Sequence, residues 1–275
     1  METIKLTKMQ GLGNDFVIID YSEYEKASIE MPELAKKVCD RNFGVGADGM
    51  IIPNLLPSDK NADIGWYFYN SDGTTAQMCG NGIRCFAKYV FDKKLVSSKK
   101  IRVETIAGII VPEILENGEV KVNMSKPRGE CIKNNLTVLD RTFEINIISM
   151  GNPHCVIFVK DNSDLLKLAK KYGPEIEKHH LFPEKTNVEF IRVISKSEID
   201  LRVFERGCGI TLACGTGACA SVVAGILNNL TENIAKVNLL GGALIIEWQG
   251  SSLNLEKDVF MTGPAEYSFL AEYIL

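Results

Sequence analysis

Two cysteines stand in the same short context, Cys79-Gly80-Asn81-Gly82 and Cys214-Gly215-Thr216-Gly217, 135 residues apart. Each tetrapeptide opens a proline-free stretch, Gly82 to Leu95 and Thr216 to Asn228, that reads as a helix. Each sulfur is therefore expected at a helix N-terminus. Orphan N–H groups and the positive end of the macrodipole favour negative charge there, which makes a thiol more acidic and offers a berth to a carboxylate. A glycine-rich helix start alone is a weak sign, because phosphate sites and tight turns look the same. Two copies headed by cysteine suggest paired acid–base groups. Inverting a tetrahedral carbon requires a proton to leave one face and another to arrive on the opposite face. One thiolate and one thiol do both, and exchange roles in the reverse direction. The helix ends would hold the substrate's α-carboxylate as charge develops on it.

The residues alone leave other readings open: two structural thiols behind tight turns, or a redox disulfide pair. A disulfide framework suits a small secreted chain, which this is not, and no Cys-x-x-Cys occurs among the eight cysteines. With only three histidines the usual zinc spacings are missing, so no metal is expected. Most of the thiols should be free and buried. Cys85 and Cys219, in the first turns of the two helices, read as small hydrophobes with no chemical role. Asn14 and Asn152 each follow a glycine and read equally well as turn residues or as ligand contacts. Glu205-Arg206 would ordinarily be a solvated pair, but Val203-Phe204 before it and the cysteine loop after it direct it to the same site. His154 reads most simply as a hydrogen-bonded loop histidine.

The elements that must position these groups are written twice. Gly13-Asn14-Asp15-Phe16 returns as Gly151-Asn152-Pro153-His154, 138 residues on; Gly49 falls opposite Asn187 at the same offset. Asn70 falls opposite Glu205 at 135, and Ile106–Ile110 opposite Leu240–Leu244 at 134. We expect two related domains, 1–117 carrying Cys79 and 118–262 carrying Cys214, with 263–275 as a tail; Glu116-Asn117-Gly118 and Lys126-Pro127-Arg128-Gly129 supply turn residues near the join. Short runs rich in β-branched and aromatic residues predict strands over 16–20, 62–69, 101–111, 138–149, 155–160, 188–194 and 199–204. Apolar residues at helical spacing predict further helices over 33–40 and 164–172. The fold class is α+β, mostly antiparallel, in two pseudo-symmetric domains.

Composition narrows the partners. A chain of 275 residues with 45% hydrophobic and 24% charged residues is an ordinary globular protein. With 31 basic against 35 acidic residues and no basic block, nucleic acid is not an expected partner. The start, Met1 to Phe16, lacks the apolar core of a secretory signal, so a cytoplasmic protein is expected. Residues 207–231 carry no charge, but five glycines among them argue for a loop and a buried helix, not a membrane span.

Six segments in order, Gly11–Phe16, Arg41–Gly49, Tyr69–Gly73, Met78–Cys85, Gly151–Cys155 and Glu205–Ala218, resemble the motifs of the diaminopimelate epimerase family over nearly the whole chain. The resemblance implies an epimerase without cofactor or metal that interconverts LL- and meso-2,6-diaminopimelate on the route to lysine and peptidoglycan. It further implies two similar domains, each a curved β-structure around a central helix, a small-molecule substrate and a homodimer as a possible assembly. By motif, Cys79 and Cys214 match the catalytic thiols; Gly80, Asn81, Gly215 and Thr216 match donors to the reacting carboxylate. Asn14, Asn70, Asn152, Asn187, Glu205 and Arg206 match further substrate contacts, and His154 and Glu205 match groups that influence thiol ionisation. Two positions depart: many members carry glutamine where this chain has Gly49, and glutamate is frequent where it has Ile210. The glutamine contact must then be absent, replaced by water or supplied elsewhere. The rivals are another two-thiol racemase, of proline or histidine type, and a redox thiol protein; Glu205-Arg206 favours a substrate with a second charged amino-acid end.

Overall fold

The computed structural model describes residues 2–75, 78–160, 162–252 and 254–275; the side chain of Cys131 lies outside the described residues. The chain divides into two compact units, Met1–Val122 with Gly263–Leu275, and Asn123–Thr262.

In the first unit the order is β1 (Thr3–Gly11), β2 (Asn14–Ile18), α1 (Tyr21–Tyr24), α2 (Met31–Cys39), β3 (Gly49–Asn54), β4 (Ile64–Asn70), α3 (Gly80–Asp92), β5 (Val103–Thr105) and β6 (Gly108–Ile110). The hairpin β7 (Glu113–Ile114) and β8 (Val120–Asn123) follows. The second unit runs β9 (Arg128–Val138), β10 (Arg141–Ser149), β11 (Pro153–Phe158), α4 (Leu165–Glu177), β12 (Asn187–Ser195), β13 (Glu198–Glu205), β14 (Gly209–Ile210), α5 (Gly215–Leu227), β15 (Ile234–Leu239), β16 (Gly242–Trp248) and β17 (Val259–Gly263). Then β18 (Glu266–Ile274) returns to the first unit.

Strand register gives the duplication physical form. The sheet order β1-β2-β3-β4-β5-β6 of the first unit is repeated by β10-β11-β12-β13-β15-β16 in the second. In the parallel pair β2–β3, Phe16 lies opposite Gly49; in β11–β12, His154 lies opposite Asn187. Ile64 opposite Val103 recurs as Ile199 opposite Val237, and Val103 opposite Ile110 recurs as Val237 opposite Leu244. These pairs keep the offsets read from the sequence.

The helix beginning at the second cysteine motif is apolar all round, with Gly217 to Gly225 buried throughout. It packs against β10, β11, β12, β13, β15 and β16, so the sheet curls around it. In the first unit, α3 packs against β1 and β2. The other long helices, α2 and α4, each bury one apolar stripe: Leu34, Ala35 and Val38 in one, Leu168, Ala169, Tyr172 and Ile176 in the other.

Several boundaries differ from those read in the sequence. The 101–111 run is not one strand but the hairpin β5–β6, turned by Thr105, whose hydroxyl donates to the Gly108 carbonyl at 2.7 Å and accepts from Ala107 N–H at 3.1 Å. Glu116-Asn117-Gly118 is the tip of the β7–β8 hairpin, where Gly118 N–H donates to Leu115 O at 3.0 Å, so the first unit continues to Val122. Residues 263–275 are no free tail: β18 pairs antiparallel with β1 from Thr3 to Gln10. Helix α4 passes Pro174 to Glu177 because Ile176, fully buried, packs with Tyr172 in the second unit's core.

Candidate active site

Each motif cysteine is the N-cap of its helix. Cys79 and Cys214 have extended backbones (φ −139° and −126°), and each sulfur accepts the N–H of the third helical residue, Gly82 or Gly217, at 3.4 Å. By position, the N–H groups of Gly80 and Asn81, and of Gly215 and Thr216, have no acceptor inside their helices. These are the four groups expected from the sequence as donors to a carboxylate, two at each helix start.

Around Cys79 the first unit gathers asparagines. Asn14 Oδ1 lies 3.5 Å from the Cys79 sulfur and accepts from Asn81 Nδ2 at 3.0 Å, while Asn14 Nδ2 donates to Asp48 at 2.5 Å. Asp48 is held by Arg41, which also reaches Asp15; Lys8 completes the cluster with Asp15 at 2.7 Å. Burial opposes ionisation of Asp15, but Arg41 and Lys8 outweigh it and hold the carboxyl below its ordinary range. Arg84, fully buried on α3, donates to Asn81 Oδ1 at 3.0 Å and to Pro264 O at 3.1 Å. Asn70, paired opposite Gly49, donates to the Thr74 hydroxyl at 3.0 Å.

Around Cys214 the second unit gathers the rest. Asn152 Nδ2 donates to Thr216 Oγ1 at 3.3 Å, and Thr216 Oγ1 lies 3.6 Å from the Cys214 sulfur. His154 is fully buried between Asn152 Oδ1, 3.0 Å from Nε2, and Glu189 Oε1, 2.7 Å from Nδ1. Asn187 shapes the neighbouring loop with both ends of its amide: Oδ1 accepts Arg206 N–H at 3.0 Å, and Nδ2 donates to Pro153 O at 2.9 Å. The Arg206 guanidinium donates to Glu184 O at 3.1 Å, and Gly207 N–H is tied to the Glu177 carboxylate at 2.7 Å. Glu205 accepts a hydrogen bond from the Thr211 hydroxyl. Cys214 is nearly enclosed, and burial pushes its thiol well above the ordinary range, with the charges of Glu205 and Glu189 adding to the rise.

Thus Asn14, Asn70, Asn81 and Cys79 belong to one unit, and Asn152, His154, Asn187, Glu205, Arg206, Cys214 and Thr216 to the other. Sequence reasoning assigned no role to Arg41, Asp48, Arg84 and Glu189. Arg41, Asp48 and Arg84 lie inside quoted motifs, which is the signal that was present. Cys85 is buried as expected and pushed up to about 12 by desolvation, as is Cys39. Among the described residues no group of three or more His, Cys, Asp or Glu side chains is placed to hold a metal ion, and no helix is long and apolar enough to cross a membrane.

Gly49 is closed to any side chain. A Cβ there would lie 2.7 Å from the Phe68 ring and 2.8 Å from the Tyr69 carbonyl, so the glutamine that the family resemblance implies at this position has no room without movement of β4. Ile210 pairs opposite Phe204 and packs with it on the core that contains Tyr172 and Phe190.

The sequence profile described as diaminopimelate epimerase matches residues 6–129 and 146–268. A diaminopimelate epimerase of Desulfitobacterium hafniense is 48% identical, covering 97% of this chain and 96% of that protein. One from Carboxydothermus hydrogenoformans is 48% identical over 99% of this chain and 100% of its own. Among solved structures, a PhzF-family phenazine biosynthesis protein of Bacillus anthracis superposes with TM-score 0.74 at 18% identity, covering 100% of both chains. A hydroxyproline epimerase of Agrobacterium vitis superposes with TM-score 0.71 at 11% identity, covering 99% of this chain and 92% of that one. At such identities these two establish a shared fold and nothing more.

Proposed function

We propose, from the premise that the chain belongs to the diaminopimelate epimerase family, that Cys79 and Cys214 are the two acid–base groups with which it interconverts LL- and meso-diaminopimelate. The activity is that of the family, an isomerase acting on diaminopimelate. The finer reading concerns which atoms do the work and needs no pyridoxal phosphate. One cysteine, as thiolate, takes the α-hydrogen; the other, as thiol, delivers a proton to the opposite face, and the electron pair left on the carbon is delocalised into the α-carboxylate. That carboxylate is held by the N–H groups of Gly80 and Asn81 and of Gly215 and Thr216, so the charge forms where donors are already in place. Asn14 and Asn152 flank the two berths. Glu205 and Arg206 hold the ammonium and carboxylate of the non-reacting end, with Asn70 and Asn187 completing or shaping its contacts. His154 and Glu205 tune the second thiol.

The observation that carries this reading is the pair of cysteine N-caps, each sulfur accepting a helix N–H at 3.4 Å at the same place in a duplicated fold. A plain tight turn has no need of such a repeat. The test is to incubate the protein with LL-diaminopimelate in deuterated water. Meso product should carry deuterium at the inverted carbon, and Cys79→Ser or Cys214→Ser should lower turnover by about 10²- to 10⁴-fold, the range of general acid–base catalysis. Near-parental turnover by either variant would overturn the two-thiol assignment. The assembly is read as a homodimer through the edge strand β18, where Phe269, Leu270 and Ile274 are exposed beside unpaired backbone.

A further inference from the structure

The second unit buries a carboxylate for which this chemistry has so far given no use. Glu189 on β12 is fully buried; Oε1 meets His154 Nδ1 at 2.7 Å, and Oε2 has no hydrogen-bond partner. Burying such a group without full compensation is costly to the fold. A residue kept there against that cost calls for a role.

The hydrogen bonds around it run in one direction. Asn152 Nδ2 donates to Thr216 Oγ1, so the amide turns its Oδ1, an acceptor only, toward His154 Nε2. Nε2 must then carry hydrogen, and Nδ1 faces Glu189. The Thr216 hydroxyl, accepting from Asn152, has its own hydrogen for the Cys214 sulfur 3.6 Å away. Gly217 N–H donates to the same sulfur. Each donor in a chain of this kind polarises the next, and the end that gains is an anion on sulfur.

The first repeat lacks the device. At matching positions of the two parallel strand pairs, Phe16 stands for His154 and Ile51 for Glu189, both buried and apolar. Under the first helix a Cβ on Gly82 would lie 3.5 Å from the Phe16 ring; under the second, a Cβ on Gly217 would lie 2.8 Å from Glu189 Oε1. Glycine at 217 is therefore what lets the carboxylate come close beneath the cysteine loop.

We propose that Glu189 is a positioning residue, which holds the His154 ring so that the donor chain through Asn152 and Thr216 ends on the Cys214 sulfur and gives this thiol an environment that Cys79 does not have. The proposal rests on the reading of Cys214 as an acid–base thiol. The ionisable groups that face Glu189 are His154 and Cys155 on β11, Glu205 at the end of β13 and Cys214 at the start of α5. Burial lifts the Glu189 carboxyl above its ordinary range, with His154 pulling it back and Glu205 adding to the rise. A carboxyl that carries a proton donates it to Nδ1, and this fits the direction of the chain.

Three variants of the full chain test this: Glu189→Gln, Glu189→Leu, and the double change His154→Phe with Glu189→Ile, which writes the first repeat's pair into the second. The readouts are the alkylation rate of Cys214 by iodoacetamide across pH, mapped by peptide with Cys79 as internal control, and kcat and KM for LL-diaminopimelate. The Leu and double variants should alkylate Cys214 at least about tenfold more slowly at neutral pH, with the midpoint moved upward and Cys79 unchanged. Their kcat should fall by up to about 100-fold, the scale of a small misplacement of a reacting group, with KM within about threefold. Gln, whose amide N–H still reaches Nδ1, should restore most of the loss. The double variant keeps a packed apolar pair, so the test survives if Glu189→Leu does not fold. Parental Cys214 reactivity in a folded variant, equal slowing of Cys79, or a Gln variant no better than Leu would each overturn the proposal. Undiminished turnover by Cys214→Ser would instead overturn the acid–base reading, and the alkylation comparison does not depend on that result.

Discussion

A thiol that gives and takes a proton needs its anion stabilised without being solvated to the point of inertness, and at Cys214 these demands are set by different neighbours. Burial and the Glu205 carboxylate oppose the thiolate, and Glu189 adds to this only in its ionised form; the helix N–H of Gly217 and the Thr216 hydroxyl favour it. The same balance has a signature in stability. Because the folded pKa of Glu189 is raised above the ordinary value of 4.5, the folded state binds this proton more tightly than the unfolded chain does. Its contribution is therefore fully present below about pH 4.5 and is lost as pH rises through the folded value. Exchanging His154 and Glu189 for Phe and Ile removes that loss, and replacing a buried polar pair by packed apolar residues is often neutral or stabilising by about 1–4 kcal/mol. The melting temperature of the double variant, relative to the parent, should thus be more favourable at pH 7 than at pH 4. A difference that stays the same from pH 4 to pH 7 would mean that Glu189 ionises in the folded protein as it does in the unfolded chain.

At the scale of strands and helices, the site depends on β3 and β4 approaching as closely as they do. Gly49 on β3 leaves no space for a methyl group between Phe68 and the Tyr69 carbonyl. Gly49→Ala should cost about 1–3 kcal/mol, the usual range for overpacking, and Gly49→Gln at least as much, read as a lower urea midpoint at unchanged slope. Asn70, directly opposite, should lose its seat in the same variants and raise KM. The legibility of such elements from sequence varied with how local their causes are. The cysteine helices were readable, since cap, glycines and apolar run are contiguous, and the duplication was readable because its anchors are the chemical residues themselves. Glu189 was not: in Asn187-Val188-Glu189-Phe190 an alternating glutamate looks like a solvent-facing strand residue, and its partner His154 is brought near only by parallel pairing of β11 with β12. Strand β18 escaped for a related reason, because its partner β1 lies at the other end of the chain; β1, β3, β9, β15, β16 and β17 were not read as strands either. The β5–β6 turn lies inside a run read as one strand; its local signal is Gly108, which takes φ +102° beside the Thr105 hydroxyl.

On the scale of the whole chain, the two repeats differ in where they obtain their edge strand. In the second unit β9 precedes β10 and pairs with it; in the first, the equivalent place beside β1 is filled by β18, from the far end of the sequence. The first unit is consequently discontinuous, and its core is closed only when Ala271 and Tyr273 pack against Ile4, Leu6 and Ile52 and their neighbours. The returning segment also carries the Pro264 carbonyl that accepts from the buried Arg84, the residue that holds Asn81 at the first thiol's helix. Ending the chain at Thr262 should therefore loosen the first unit and leave the second, residues 123–262, packed. The two tryptophans report on this separately, since Trp66 lies in the first unit among Phe68 and Phe86 and Trp248 is fully buried in the second, its indole N–H donating to Lys257 O at 2.8 Å. In a Trp248→Phe background the truncation should shift emission to the red and raise acrylamide quenching, because Trp66 becomes exposed. In a Trp66→Phe background it should change neither. Equal exposure of both tryptophans would mean that the second unit, contiguous as it is, does not hold its core without the strand that closes the first.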